Sequence, residues 1–283
     1  MGFLLLRPTL RLGLCHPAAS APVKPTLASA ARAPKERWGV VDFPPVPRFA
    51  ISIHDPETED IYISGSVHAG LAPWDPYVWD LFARVLRPGD LVVDVGANLG
   101  YFSLMAAAMG CRVIAFEPME RNVARFLASI ARNRAAITLY QNAVAHQAGR
   151  VVALRPTHAA TNYGNGQIIT AGAEDATTTT VRLDDVGITG TIDLLKIDVE
   201  GFELSVLDGA RRLLCAGAIR RVVLEWSDAT RANPECPARE GLRRLVAVGY
   251  TLSDIVPDAP PLSPDDPLLP PNLLLTLRTP SCI

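Results

Sequence analysis

The residues of this sequence best suited to chemistry begin with the turn Gly96-Ala97-Asn98-Leu99-Gly100, which follows the apolar run Leu91–Val95. Glycine at the end of a strand lets a ligand approach the backbone where a helix starts and its unpaired N–H groups gather. A dinucleotide turn, spaced G-x-G-x-x-G, needs its second glycine to admit a pyrophosphate. Here Asn98 stands in that place. Asp94, just before the turn, adds a carboxylate that would repel a pyrophosphate and suit the ammonium group of a methionine. The turn therefore favours S-adenosylmethionine over NAD.

Two further groups extend this reading. Phe116-Glu117-Pro118 ends a second apolar run, and an acid at the tip of a second strand is where a ribose diol is held by paired hydrogen bonds. Asn142 follows a third run, Ile137–Gln141, and could offer its amide to an adenine edge. The densest charge cluster is Lys196-Ile197-Asp198-Val199-Glu200-Gly201-Phe202-Glu203. In open α/β sheets ligands lie outside the carboxyl ends of the strands, so these acids should face the same crevice as Asp94 and Glu117. Crowded carboxylates repel one another unless Lys196, a cationic ligand or a metal compensates, and crowding raises a carboxylate's pKa towards that of a base.

The elements that must position these groups are legible as alternating apolar runs and helical stripes. Asp75-Pro76 is a helix start, with Val78, Leu81, Phe82 and Val85 at i, i+3, i+4 and i+7. Strand Leu91–Val95, helix Leu99–Met109, strand Arg112–Phe116 and helix Arg121–Arg132 follow, the last striped by Val123, Phe126, Leu127 and Ile130. Strand Leu194–Ile197, helix Glu203–Leu214, strand Arg221–Glu225 and helix Ala238–Val248 continue the alternation, which means a parallel sheet. Thr251–Ile255 and Leu273–Arg278 lack an intervening helix and should close the sheet as an antiparallel pair. Ala50–Ile53 and Asp60–Ile63 are candidate short strands, and the polar, glycine-rich stretch Ala159–Ala176 reads as a loop over the strand ends that could touch substrate.

Composition excludes several classes. Of 283 residues, 49% are hydrophobic, 20% charged and 6% aromatic, with a net charge of -2. That balance suits a folded enzyme and gives no field to gather nucleic acid. No apolar run approaches the roughly 18 to 20 residues of a membrane span. The five cysteines, Cys15, Cys111, Cys215, Cys236 and Cys282, form no C-x-x-C pair, so free thiols in a reducing, cytoplasmic setting are expected. Met1–Lys35 holds five basic residues and no acidic one, a faint likeness to an organellar targeting segment. The expected organisation is a disordered or targeting extension over 1–47 and one domain over 48–283. His16, His54, His68, His146 and His158 show no metal-ligand spacing, and His68 is the alternative base. Trp74, Tyr77 and Trp79 line either an apolar pocket or the core.

Taken together, the motifs resemble the FkbM family of methyltransferases. The matching pieces are PGDLVVDVGANLGYFSL (Pro88 to Leu104), AFEP (Ala115 to Pro118), NAVA (Asn142 to Ala145), TTTTVRLDDV (Thr177 to Val186), DLLKIDVEGFELSVLDGA (Asp193 to Ala210) and VVLEW (Val222 to Trp226). They span roughly residues 75 to 226, and LKIDVEGFE is the most specific. The resemblance implies a Rossmann-like, class I methyltransferase α/β fold. Its sheet would have seven mostly parallel strands, helices on both faces and an antiparallel last strand. It also implies methylation of a hydroxyl on a small molecule, natural product or sugar. By position, Asp94, Gly96, Asn98, Gly100, Glu117 and Asn142 look like cofactor residues, and Asp198 and Glu200 like active-site carboxylates. Asp198 is then the first candidate to take the acceptor's proton and Glu200 the second. No metal ligand is assigned; a divalent ion shared by Asp198, Glu200 or Glu225 is the less favoured alternative. A nicotinamide oxidoreductase and a noncatalytic interaction module are the rival classes.

Overall fold

The computed structural model describes residues 24–28, 37–53, 72–158, 162–169, 176–232 and 237–278. Asp60–Ile63 and His68 lie outside the described residues. A hairpin of β1 (Arg37–Val41) and β2 (Phe49–Ile53) leads to α1 (Pro76–Val85). The chain then alternates through β3 (Leu91–Val95), α2 (Tyr101–Ala108), β4 (Arg112–Phe116), α3 (Glu120–Asn133) and β5 (Ile137–Tyr140). An inserted sheet of β6 (Ala143–Val144), β7 (Val151–His158), β8 (Asn162–Ile169) and β9 (Ala176–Val181) follows. The last part runs β10 (Leu194–Ile197), α4 (Glu203–Gly209), α5 (Arg211–Cys215), β11 (Arg221–Glu225), α6 (Asp228–Ala232), α7 (Ala238–Ala247), β12 (Tyr250–Asp254) and β13 (Asn272–Leu277).

The main sheet has the order β12-β13-β11-β10-β3-β4-β5. Strands β11, β10, β3, β4 and β5 pair in parallel, and β13 pairs antiparallel with both β11 and β12. The seven strands, their mostly parallel pairing and the antiparallel last strand agree with the resemblance. Strand order reverses between β3 and β10, the kind of switch point where α/β sheets open a crevice for ligands.

Side chains alternate across each strand with period two, so the sheet feeds two cores. Val92, Val113, Leu194 and Val223 pack with α1, α2 and α3 on one face; Val93, Val95, Leu195 and Leu224 pack with α4 and α7 on the other. Phe126 of α3 is wholly buried in the first core, and burial of such a side chain contributes about 1.5–3 kcal/mol. Helix α1 starts as expected: Asp75 accepts a hydrogen bond from the Val78 N–H at 3.2 Å, with Pro76 in the first turn. Trp79 is buried among Phe43, Phe49 and Tyr101, whereas Tyr77 is exposed, so the aromatic trio does not act as one group.

Three expectations change. The boundary placed at residue 48 falls inside the β1–β2 hairpin, and further back the Ala28 N–H donates to the Leu139 carbonyl, so ordered structure reaches into 24–28. Alanine- and proline-rich surroundings hid these short pieces: β1 pairs with its neighbour β2, and only the 24–28 segment pairs with a distant strand, β5. Within Ala159–Ala176, read as a loop, β8 pairs antiparallel with β7; backbone hydrogen bonding supplies what no apolar alternation announced. The single helix expected over Glu203–Leu214 is two, broken at Ala210, whose N–H is shared between the carbonyls of Val206 and Leu207.

Candidate functional site

Gly96 leaves β3 at φ 81°, and a Cβ there would sit 1.8 Å from the backbone oxygen of Asp198. Only glycine lets the β3 and β10 ends approach so closely. Gly100, at φ 84°, opens α2, and its missing Cβ makes room for the Phe126 ring, which a methyl would meet at 2.1 Å. Asn98 adopts φ 52°, a left-handed conformation that asparagine tolerates. The turn is tied to β4 through the Phe116 carbonyl, which accepts from the N–H groups of Gly96 and Ala97 at 3.0 Å.

Glu117 is buried with its carboxylate turned under this turn. It accepts from the Asn98 N–H at 2.8 Å, the Met119 N–H at 2.9 Å and the Asn122 side-chain amide at 3.2 Å. Burial pushes its pKa up to about 7 in spite of the three hydrogen bonds, with the Asp94 charge adding to the rise. Asn122, one turn into α3, was not singled out by sequence; its only signal was its place five residues after Glu117.

Asp94 sits deeper, 1% exposed. Ser103 of α2 donates to its Oδ2 at 2.7 Å, and the Lys196 ammonium lies 3.6 Å from Oδ1. Lys196 is the register partner of Asp94 across β3 and β10, and it donates to Asp198 Oδ2 at 3.0 Å. Asn142 is also spoken for: its Oδ1 accepts from the Thr26 N–H at 2.6 Å and its amide donates to the Thr179 carbonyl at 2.9 Å. Asn142 thereby fastens the 24–28 segment and β9 while standing in the pocket wall.

On the β10 side the acids crowd. Asp198, Glu200 and Glu225 each bring one carboxylate oxygen within 4.8 Å of the others, a spacing able to hold a divalent ion. Burial, then the charges of Asp198 and Glu203, push Glu200 up to about 7. Burial, then Asp198 and Glu200, push Glu225 up to about 9. Glu203, fully buried, accepts from the Gly201 N–H at 3.1 Å and so shapes the loop that carries Glu200 at φ 54°.

One pocket joins the two sides. Gly96, Asn98, Glu117, Asn142, Asp198 and Glu200 all line it, together with Val95, Phe116 and Val144. Of the expected site residues, Asp94 and Gly100 do not reach its wall: the first braces the strand end from behind and the second admits Phe126. The pocket offers a glycine turn and a buried acid on one wall and the carboxylates of Asp198 and Glu200 on the other.

Comparisons with known proteins show the family of the chain. The family described as Methyltransferase FkbM domain matches residues 94–246. A Streptomyces tacrolimicus protein, 31-O-demethyl-FK506 methyltransferase FkbM, is 35% identical over 188 residues, covering 54% of this chain and 71% of that one. The AMB antimetabolite synthetase AmbE of Pseudomonas aeruginosa is 28% identical over 256 residues, covering 75% of this chain and only 11% of that much longer one. Among solved structures, a methyltransferase from Pyrococcus furiosus aligns with a TM-score of 0.37 at 16% identity, covering 70% of this chain and 80% of that one. An rRNA methylase from Streptococcus thermophilus aligns with a TM-score of 0.42 at 13% identity, covering 71% and 93%. No helix among the described residues is long and apolar enough to cross a membrane.

Proposed function

Because the chain belongs to the FkbM methyltransferase family, we propose that it is an S-adenosylmethionine-dependent O-methyltransferase acting on a hydroxyl of a small molecule, natural product or sugar. The observation that carries this reading is the single pocket in which Gly96, Asn98 and Glu117 face Asp198 and Glu200. The first wall suits a nucleoside: Gly96 admits close approach, and Glu117 Oε2, which takes one donor from its own chain, can receive a ribose hydroxyl. The second wall suits a sulfonium cation and a hydroxyl that must lose a proton. The name of the 35% identical relative places its methyl on an oxygen, which supports the same bond here.

With S-adenosylmethionine held by Gly96, Asn98 and Glu117, its sulfonium would supply the methyl to the acceptor oxygen, the C–S pair staying on sulfur, and the hydroxyl proton would pass to a carboxylate. Between the two candidates, Glu200 is favoured here over Asp198 as the base. Lys196 already holds one Asp198 oxygen, whereas Glu200, pushed up to about 7, matches a base working near neutral pH. Asp198 then orients the hydroxyl and keeps Glu200 basic. The grouping of Asp198, Glu200 and Glu225 also favours a second reading, a divalent ion that acidifies the hydroxyl; turnover that survives a chelator is the outcome expected of the base reading.

The test is calorimetry with S-adenosylmethionine followed by transfer of a labelled methyl to a panel of hydroxyl, amine and carbon-acid probes. Cofactor binding with label confined to hydroxyl probes is expected. Wild-type protein that does not bind the cofactor, or that labels only the amines or carbon acids, overturns the reading.

A further inference from the structure

Lys196 is a buried cation to which neither the glycine turn nor the proton transfer assigns a role. The alternation along β10 turns it to the same sheet face as Leu194, where α2 packs. Its ammonium lies 3.0 Å from Asp198 Oδ2, 3.6 Å from Asp94 Oδ1 and 5.6 Å from the centroid of the Phe102 ring, and the residue is 6% exposed. Burial alone would lower its pKa, but the charges of Asp198, Asp94 and Glu225 outweigh burial and raise it above the ordinary lysine value. The positive charge is therefore fixed. Asp198 lines the pocket and Lys196 does not, so the lysine stands one layer back, behind the acidic wall.

S-adenosylmethionine and its product, S-adenosylhomocysteine, differ at sulfur by one methyl and one positive charge. A residue that shifts the preference between them without touching either acts through the field at that atom. The acids of this field come from every neighbouring element: Asp94 from β3, Asp198 and Glu200 from the loop after β10, Glu203 from α4 and Glu225 from β11. Lys196 is the counter-charge that Asp94, Asp198, Glu200 and Glu225 share.

Resting on the cofactor reading above, we propose that Lys196 sets the selectivity of the pocket between the sulfonium cofactor and its neutral product, offsetting from behind Asp198 an acidic wall that would otherwise hold the cation more tightly. The catalytic benefit follows from where charge goes: the sulfonium is cationic in the ground state and loses its charge on transfer, so binding energy spent on the ground-state cation raises the barrier.

The experiment is calorimetry with S-adenosylmethionine and S-adenosylhomocysteine on wild type, Lys196→Met and Lys196→Arg at one mildly alkaline pH, with thermal melts as the check on folding. Lys196→Met should shift the ratio of the two dissociation constants towards the cofactor by about threefold or more, and Lys196→Arg should leave it within about twofold of wild type. A ratio unmoved by Lys196→Met overturns the proposal, even where both affinities change together. If Lys196→Met does not fold, Asp198→Asn serves: loss of that negative charge should shift the ratio the opposite way, and an unchanged ratio overturns the proposal equally. Wild type that binds neither ligand removes the cofactor reading itself, a result distinct from an unmoved ratio.

Discussion

Glu117 and Glu200 face one pocket and both are pushed up to about 7, yet their surroundings differ in kind. The β3–β4 side answers each buried acid with donors of its own: Glu117 has the N–H groups of Asn98 and Met119 and the amide of Asn122, and Asp94 has Ser103. Beyond β10 the acids are answered chiefly by one another, with Asp198, Glu200 and Glu225 within 4.8 Å and Lys196 as the cation at their back. Hydrogen bonds between a fixed backbone and a carboxylate make a rigid surface for a ligand that must fit the same way each time. Like charges held close make a group whose proton is easily moved. On the proposed reading, the first kind of surface binds the cofactor and the second takes the proton.

The largest effect should come from breaking the rigid side. Gly96→Ala would drive a methyl into the Asp198 backbone oxygen at a left-handed φ, where neither strand end can yield. A loss of about 3 kcal/mol or more in stability is expected, with cofactor binding abolished. Thermal melts and calorimetry check this; a stable variant that binds normally would mean that the β3 and β10 ends are not locked together.

Next in size is the reactive side. Glu200→Gln should lower kcat by about 10²- to 10⁴-fold while cofactor affinity stays within about threefold. In wild type the base must be deprotonated, so turnover should fall as the pH drops through about 7 and hold above it; the variant should lose that limb. A pH–rate profile on an identified acceptor decides, and an acid limb that persists in Glu200→Gln would pass the role to Asp198.

The smallest effect concerns stability. Glu225 is raised in the folded protein to about 9 from the ordinary value of 4.5, so folding favours its protonated form. That contribution is fully present below 4.5 and is lost as the pH rises through about 9. Glu225→Gln should therefore flatten the fall in melting temperature between about pH 6 and 9. An identical slope in variant and wild type would show that the acidic wall costs the fold nothing.

Much of this was legible before any coordinates. The parallel core followed from alternating apolar runs, and the left-handed turn after β3 from Gly96 and Gly100 flanking Asn98. The inserted sheet was not, because β7, β8 and β9 are rich in threonine, glycine and polar residues and gain their order from mutual backbone pairing. The sequence puts Asn142 at a strand end, where it lines the pocket, but its hydrogen-bond partners are not legible there. Its amide is claimed by Thr26 and Thr179, which lie 116 and 37 residues away in sequence, and such pairings leave no local trace.

What the sequence determined by itself is the identity and order of the candidate groups: carboxylates at or beside the ends of β3, β4, β10 and β11, a glycine turn between strand and helix, and a lysine within the acidic motif. These are short-range facts, set by periodicity and by which residues tolerate a left-handed turn. Tertiary structure alone decided which of them meet. Parallel pairing of β3 with β10 sets Lys196 beside Asp94 in register, and period-two alternation turns both to one face. A single-residue slip would have sent the lysine into the opposite core. The carboxylates were written in the chain, but the placing of one lysine between Asp94 and Asp198 arose from that register.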